Sequence, residues 1–274
     1  MSVLSLVLAV VSRASAIGFR TVARREIERF LRRPKNTFAP PLITNILYFS
    51  VFGVILGERI GSYGDGIPYI LFVLPGLVVL GAVSNGFENA SFSIFHGRWN
   101  EYIHEVLTSP LSYGQTTFAY VAASTLRGVL VGIIIAIVGV AFTVAHPAYD
   151  LVSVAHPLYL AVALTLVAAL FACIGVVGGL WARDFDYLTV LNQFLIRPLV
   201  FFGGVFYPLD ALDGLFYTLS FLNPLVFTVD AVRYGFLDVN VLNPWLSLGV
   251  LAAATSVVFA IDVALVKRGY GLTE

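Results

Sequence analysis

The chain predicts an all-α polytopic membrane protein: six transmembrane helices, an N-terminal amphipathic interfacial helix, and re-entrant outer helices before the last span. Three observations carry this. Of 274 residues, 59% are hydrophobic and 12% charged, where soluble domains carry about 25% charge. Apolar runs of roughly 20 residues recur, the length that crosses a ~30 Å hydrocarbon core at ~1.5 Å per residue. Charge gathers between those runs. A backbone facing lipid must satisfy its own hydrogen bonds, so the runs read as helices.

The chain opens with apolar Val3–Val11, and Ala14-Ser15-Ala16 imitates a leader cleavage site. No basic residue precedes it and a dense basic stretch follows, so it is expected to be retained. Residues 13–33 read as an amphipathic helix. Phe19, Val22, Ala23, Ile27, Phe30 and Leu31 share one face, and Arg20, Arg24, Arg25, Arg29, Arg32 and Arg33 occupy the rest. Such a helix lies in the membrane interface with its basic face toward anionic headgroups. Pro34 ends it. No aromatic and basic interleaving suggests nucleic acid.

The spans are placed at 38–56 (opened by Pro40-Pro41), 67–83 (its helix running on toward Phe95), 112–143, 157–181, 187–206 and 245–266. Between the second and third spans lies NEYIHEVLTSPLSYG. Residues 101–107 predict a short helix. Ser109 is a good N-cap and Pro110 a favoured first position, so a long helix is expected from Pro110 to Thr143. Between the fifth and sixth spans, Gly214–Leu222 and Leu225–Phe236 are split by Asn223-Pro224. Each is too short to cross ~30 Å. Residues 209–236 are therefore read as re-entrant.

Basic residues set the orientation. With the N-terminus inside, the inner side holds Arg13, Arg20, Arg24, Arg25, Arg29, Arg32, Arg33, Lys35, Arg98, Arg183, Lys267 and Arg268, and the outer side Arg59 and Arg233. The outer side instead collects Glu58, Asp65, Asp150, Asp210, Asp213, Asp230 and Asp238. Both termini are thus expected in the cytoplasm.

Charges inside spans are costly, at least ~2.5 kcal/mol at a helix centre. Arg197 precedes the helix-distorting Pro198 and is expected to face the bundle interior or a polar cavity, paired with a carboxylate or drawing an anionic group. Arg127 is expected to snorkel to the inner interface, and Asp262 to lie in the interface near Lys267. The depth of Glu88 stays open. Gly203-Gly204 permits close packing or a break before Pro208. Phe201, Phe202, Phe206 and Tyr207 either line an outward path or face lipid. His146 and His156 are exposed loop residues. The lone Cys173 excludes an internal disulfide. His104 with Glu101 and Glu105 makes a poor metal site, since no further ligand lies nearby. Arg183, Asp184 and Asp186 form a second inner contact or a plain turn.

Three segments together resemble the type 2 permease subunits of ATP-binding-cassette exporters. They are the basic amphipathic helix, Glu105-Val106-Leu107-Thr108-Ser109-Pro110, and Gly203-Gly204-Val205-Phe206-Tyr207-Pro208-Leu209 with Asn223-Pro224-Leu225 and Asp230-x-x-Arg233. Gly203 stands where the family often has Ser. The resemblance implies a homodimer or heterodimer with a second permease, bound to separate ATPase subunits that carry ATP and Mg. It also implies a coupling helix with Glu101, His104, Glu105, Leu107, Ser109 and Pro110 at the ATPase. Arg197, Pro198, Gly203, Gly204, Phe206, Pro208, Asn223, Pro224, Asp230 and Arg233 become candidates for the pathway or gate. No GxxxxGK[ST] phosphate loop occurs in the chain, so no cofactor is expected on this subunit. An ion-gradient transporter or channel is the competing reading, and a scaffold without transport a third.

Overall fold

The computed structural model describes residues 3–63, 66–144, 154–209, 212 and 214–272. Asp65, His146, Asp150, Asp210 and Asp213 lie outside them. Among the described residues, six helices are long and apolar enough to span a membrane: α2 (Pro34–Ile55), α4 (Tyr69–Trp99), α6 (Tyr113–Val144), α7 (Pro157–Trp181), α8 (Phe185–Val205) and α11 (Pro244–Lys267). Before them runs α1 (Val3–Leu31). The connecting helices are α3 (Leu56–Ile60), α5 (Ile103–Thr108), α9 (Leu215–Ser220) and α10 (Leu225–Leu237). Two residue pairs, Ser62–Tyr63 and Ile67–Pro68, make a small antiparallel ladder before α4.

The centre of the bundle is α4, buried on nearly every side, with α6 and α7 packed along it. Small residues make this approach possible. A Cβ on Gly175 would lie 2.6 Å from the Phe87 carbonyl oxygen, and one on Gly179 would lie 2.6 Å from that of Ser91. These two α7 glycines are one turn apart, so they form a groove into which the α4 backbone settles. Leu74, Leu77, Val78, Val131, Ile135 and Val167 fill the space between the three helices. By contrast α2 and α11 leave most of their apolar windows uncovered.

Prolines shape two spans. Pro34 is the first residue of α2, where its missing N–H costs nothing. The helix therefore begins before Pro40-Pro41, which fall inside its second turn. Pro198 sits in a one-turn α segment of α8, Arg197–Val200, between π-helical Leu191–Ile196 and Phe201–Val205. The wide turn shifts the ladder: the Arg197 N–H donates to the Asn192 carbonyl. α8 closes at Gly204, whose φ of 82° suits a residue without Cβ.

The long third helix starts later than the sequence suggested. Ser109 ends α5, with its hydroxyl 2.5 Å from the Val106 carbonyl, and Pro110 lies in the bend that follows. Ser112 is the true cap of α6. Its backbone N–H donates to Gln115 Oε1 at 3.0 Å, and its hydroxyl accepts from the Gln115 N–H at 3.2 Å. This reciprocal pair is a capping box. It satisfies two terminal groups at once, which Ser109-Pro110 does not.

Candidate functional site

Three features meet at the end of the bundle that carries the arginines of α1. The first is α5. Ile103 and Val106 are buried against Val22, Ile94, Ala119, Tyr120 and Leu180, while Glu101, His104 and Glu105 point outward and Leu107 is half-buried. Glu101 holds φ at 61°, so the chain reverses there between α4 and α5. A cleft of about 310 Å³ beside it is lined by Phe95, Arg98, Trp99, Glu101, His104, Arg183, Gly271 and Leu272. The structure thus joins the two loops that the sequence had kept apart. Arg98 secures the junction, donating from Nη1 to the carbonyls of Gly179 (2.8 Å), Leu180 (2.9 Å) and Ala182 (2.9 Å) at the end of α7. Asp184 caps the next helix, accepting the Tyr187 N–H at 3.0 Å, and Asp186 is exposed in its first turn. Asp184 is therefore a turn-former.

The second feature escaped sequence reasoning. Glu26, on the helix read as simply basic, is 1% exposed. Its carboxylate accepts from Arg25 Nη2 (2.8 Å), Arg25 Nε (3.1 Å), Arg29 Nε (3.2 Å) and the Ser93 hydroxyl of α4. Arg25 also donates to the Tyr120 hydroxyl at 2.9 Å and stacks 4.9 Å over the Tyr102 ring. Burial, with the Glu26 charge second, pushes the Tyr102 phenol above its usual range, so it stays a neutral aromatic surface for that guanidinium. Arg29 reaches the Asn89 side chain at 3.0 Å. The helix α1 is thereby tied to α4, α6 and the approach to α5. One signal was legible: Asn85, Asn89 and Ser93 recur every four residues, a polar stripe on an otherwise apolar helix.

The third feature is a cavity of about 200 Å³ between α2, α4, α6 and α8. Its lining includes Asn45, Ser84, Glu88, Arg127 and Arg197. Glu88 lies 4.0 Å from both Arg127 and Arg197 and accepts from Asn192. Arg197 does meet a carboxylate in a polar cavity, as expected. Arg127 does not snorkel: its side chain is 17% exposed and its guanidinium bonds Asn85 at 3.2 Å and Asn89 at 3.3 Å. Asp262 is fully buried, against Cys173, because its face of α11 turns toward α7.

At the opposite end the remaining candidates converge. The Asn223 side chain donates to the Leu199 carbonyl at 2.7 Å and accepts the Leu225 N–H at 3.1 Å, so Asn223-Pro224 pins α9 and α10 to α8. A Cβ on Gly203 would lie 3.2 Å from Leu225. Arg233 donates to the Gly204 carbonyl at 2.7 Å and covers the Phe72 ring at 4.1 Å. Asp230 instead holds the loop before α11, accepting the Val241 N–H at 2.7 Å and the Leu242 N–H at 3.3 Å. Phe206 packs 4.3 Å from Phe52 and 5.1 Å from Phe201, beside Tyr48, which lines the cavity. Phe202 points away and is exposed, and Pro208 is half-buried in the turn that follows.

Residues 18–237 match the family model of the ABC-2 type transporter. The chain is 33% identical over 256 residues to the inner membrane transport permease YadH of Escherichia coli K12, covering 93% of this chain and 97% of the relative. It is 26% identical over 261 residues to nodulation protein J of Rhizobium leguminosarum bv. viciae (93% and 96% covered). It is also 26% identical over 239 residues to nodulation protein J of Rhizobium meliloti (85% of each). With six spanning helices and this coverage, the chain belongs to the ABC-2 type transporter family and is a multi-pass membrane permease of an ABC transporter.

Proposed function

We propose that this permease is the membrane half of an exporter in the cytoplasmic membrane, driven by ATP hydrolysis on a separate ATPase subunit. The observation that carries the reading is α5: a short amphipathic helix seated by Ile103 and Val106, presenting Glu101, His104 and Glu105 outward, and joined at both ends to spanning helices. In this reading the arginine-bearing end is cytoplasmic, both termini lie inside, and α1 rests in the interface. Closure of the ATPase pair on ATP pushes α5 and turns α6 and α4 with it. The hairpin α9–α10 stays re-entrant and acts with the Phe206 cluster as an outer gate. Arg197, with 45% of its side chain exposed, supports a second permease. A charge open to lipid is costly, so the uncovered face of α8 meets a partner permease, of this or another chain, or a water-filled path.

The test is copurification and transport. A permease carrying Glu105→Lys should insert normally, yet lose ATPase yield and export by about tenfold or more, two ion-pair steps of ~0.7 kcal/mol or more each. Wild-type yield and export in that variant refute the coupling role of α5.

A further inference from the structure

The cavity between α2, α4, α6 and α8 holds more donor and acceptor capacity than the protein uses. Two guanidiniums, Arg127 and Arg197, face one carboxylate, Glu88, and both stand at 4.0 Å, the outer limit of an ion pair. One positive charge is therefore left over. Ser84 and Asn45, 6% and 4% exposed, line the same cavity. The Ser84 hydroxyl, the Asn45 Oδ1 and the Arg127 Nε have no hydrogen-bond partner there. Pro40 and Pro41 have no N–H, so the carbonyls of Asn36 and Thr37, on the cavity wall, lose their regular helical donors. Unmatched polar groups in a span are expensive. Their concentration in one cavity, with a charge imbalance, describes a ligand.

We propose that this cavity binds an anionic group, a phosphate or carboxylate, carried next to a hydroxyl. Arg197 and Arg127 take the anion, and the Ser84 hydroxyl donates to it. Asn45 Oδ1 and the wall carbonyls accept from the neighbouring hydroxyl. About 200 Å³ is the room of about seven waters, enough for a headgroup and not for a whole amphiphile. Two of its charged residues lie at matching depth on their helices. Glu88 is about 16 Å from the Trp99 end of α4 and Arg197 about 18 Å from the Phe185 end of α8. The anion would thus sit in the arginine-bearing half of the bundle, with Tyr48 and the aromatic cluster beyond it. The inference rests on the export reading only for the direction of movement, because binding is measured without an ATPase.

The anion has two possible sources, an anionic lipid headgroup or a soluble anion, and titration of the purified full-length permease in non-ionic detergent separates them. The probes are short-chain phosphatidylglycerol, phosphatidylcholine of equal chain length, and inorganic phosphate. Preference for phosphatidylglycerol over phosphatidylcholine of tenfold or more supports a lipid source, and binding of phosphate alone supports a soluble one. In either case Arg197→Gln should weaken the binding at least tenfold, and Glu88→Gln should tighten it several-fold. The opposite signs separate a binding site from general loss of structure, which would weaken both. No anion selectivity overturns the proposal. So does selectivity that survives Arg197→Gln but disappears with Arg20→Gln and Arg24→Gln, which would place it on the surface of α1.

Discussion

Glu26→Gln tests the docking of α1. The substitution keeps volume and shape but turns one carboxylate oxygen into a donor. That oxygen faces either Arg25 (2.8 and 3.1 Å) or Arg29 (3.2 Å) and Ser93, so two accepted bonds are lost and a donor meets donors. Hydrogen bonds to a charged group contribute about 1.5–3 kcal/mol each, a gross loss of about 3–6 kcal/mol. The arginine side chains are 41% and 37% exposed and can turn to solvent, which roughly halves the loss. We expect about 1.5–3 kcal/mol, read from reversible unfolding in mixed micelles. Trypsin should also cut faster at Arg25 and Arg29 in membranes, because α1 lifts from α4. A cycle with Ser93→Ala should show a coupling of about 0.5 kcal/mol or more. A variant within ~0.5 kcal/mol of wild type, with unchanged proteolysis, refutes the role given to Glu26.

Two further pairs of substitutions test the fold. Ser112→Ala removes one half of the capping box of α6 and should cost about 1 kcal/mol, with faster amide exchange at Gln115 and its neighbours; Ser109→Ala, at the site the sequence favoured, should leave those amides unchanged. Gly175→Ala places a methyl 2.6 Å from the Phe87 carbonyl and should cost about 1–3 kcal/mol. Gly114→Ala, in the first turn of α6 with nothing within 4 Å of the added Cβ, should stabilise by up to ~1 kcal/mol.

The number and order of spans were legible because length and hydropathy are local properties. The start of α6 was misplaced because two cap signals compete three residues apart, and only the geometry shows which closes two bonds. Arg197 and its carboxylate could be expected from the cost of an intramembrane charge, yet its partner could not be named. Glu88 sits 109 positions earlier, and its depth depends on how far α4 extends beyond the core. The burial of Asp262 was hidden for a similar reason. Its distance from Lys267 gives its height along α11, whereas its burial depends on the rotation of that helix against α7. Glu26 was passed over because two acids, Glu26 and Glu28, among the arginines of α1 read as charge balance until Ser93 is placed beside one of them.

The three features at the arginine-bearing end are physically one system. Asn89 Oδ1 accepts from Arg29 at 3.0 Å and from Arg127 at 3.3 Å. One amide therefore belongs to both the docking site of α1 and the charged cavity. The same helix, α4, runs on for about 16 Å from Glu88 to Trp99 and ends at the reversal into α5. Its sides are filled by α6 and α7 at backbone contact distance, so it has little freedom to bend, and close-packed interiors transmit displacement rather than absorb it. A push on α5 therefore reaches the Asn89 amide along a nearly rigid rod. Movement there changes the distance from Arg127 to Glu88, already at the limit of ion pairing.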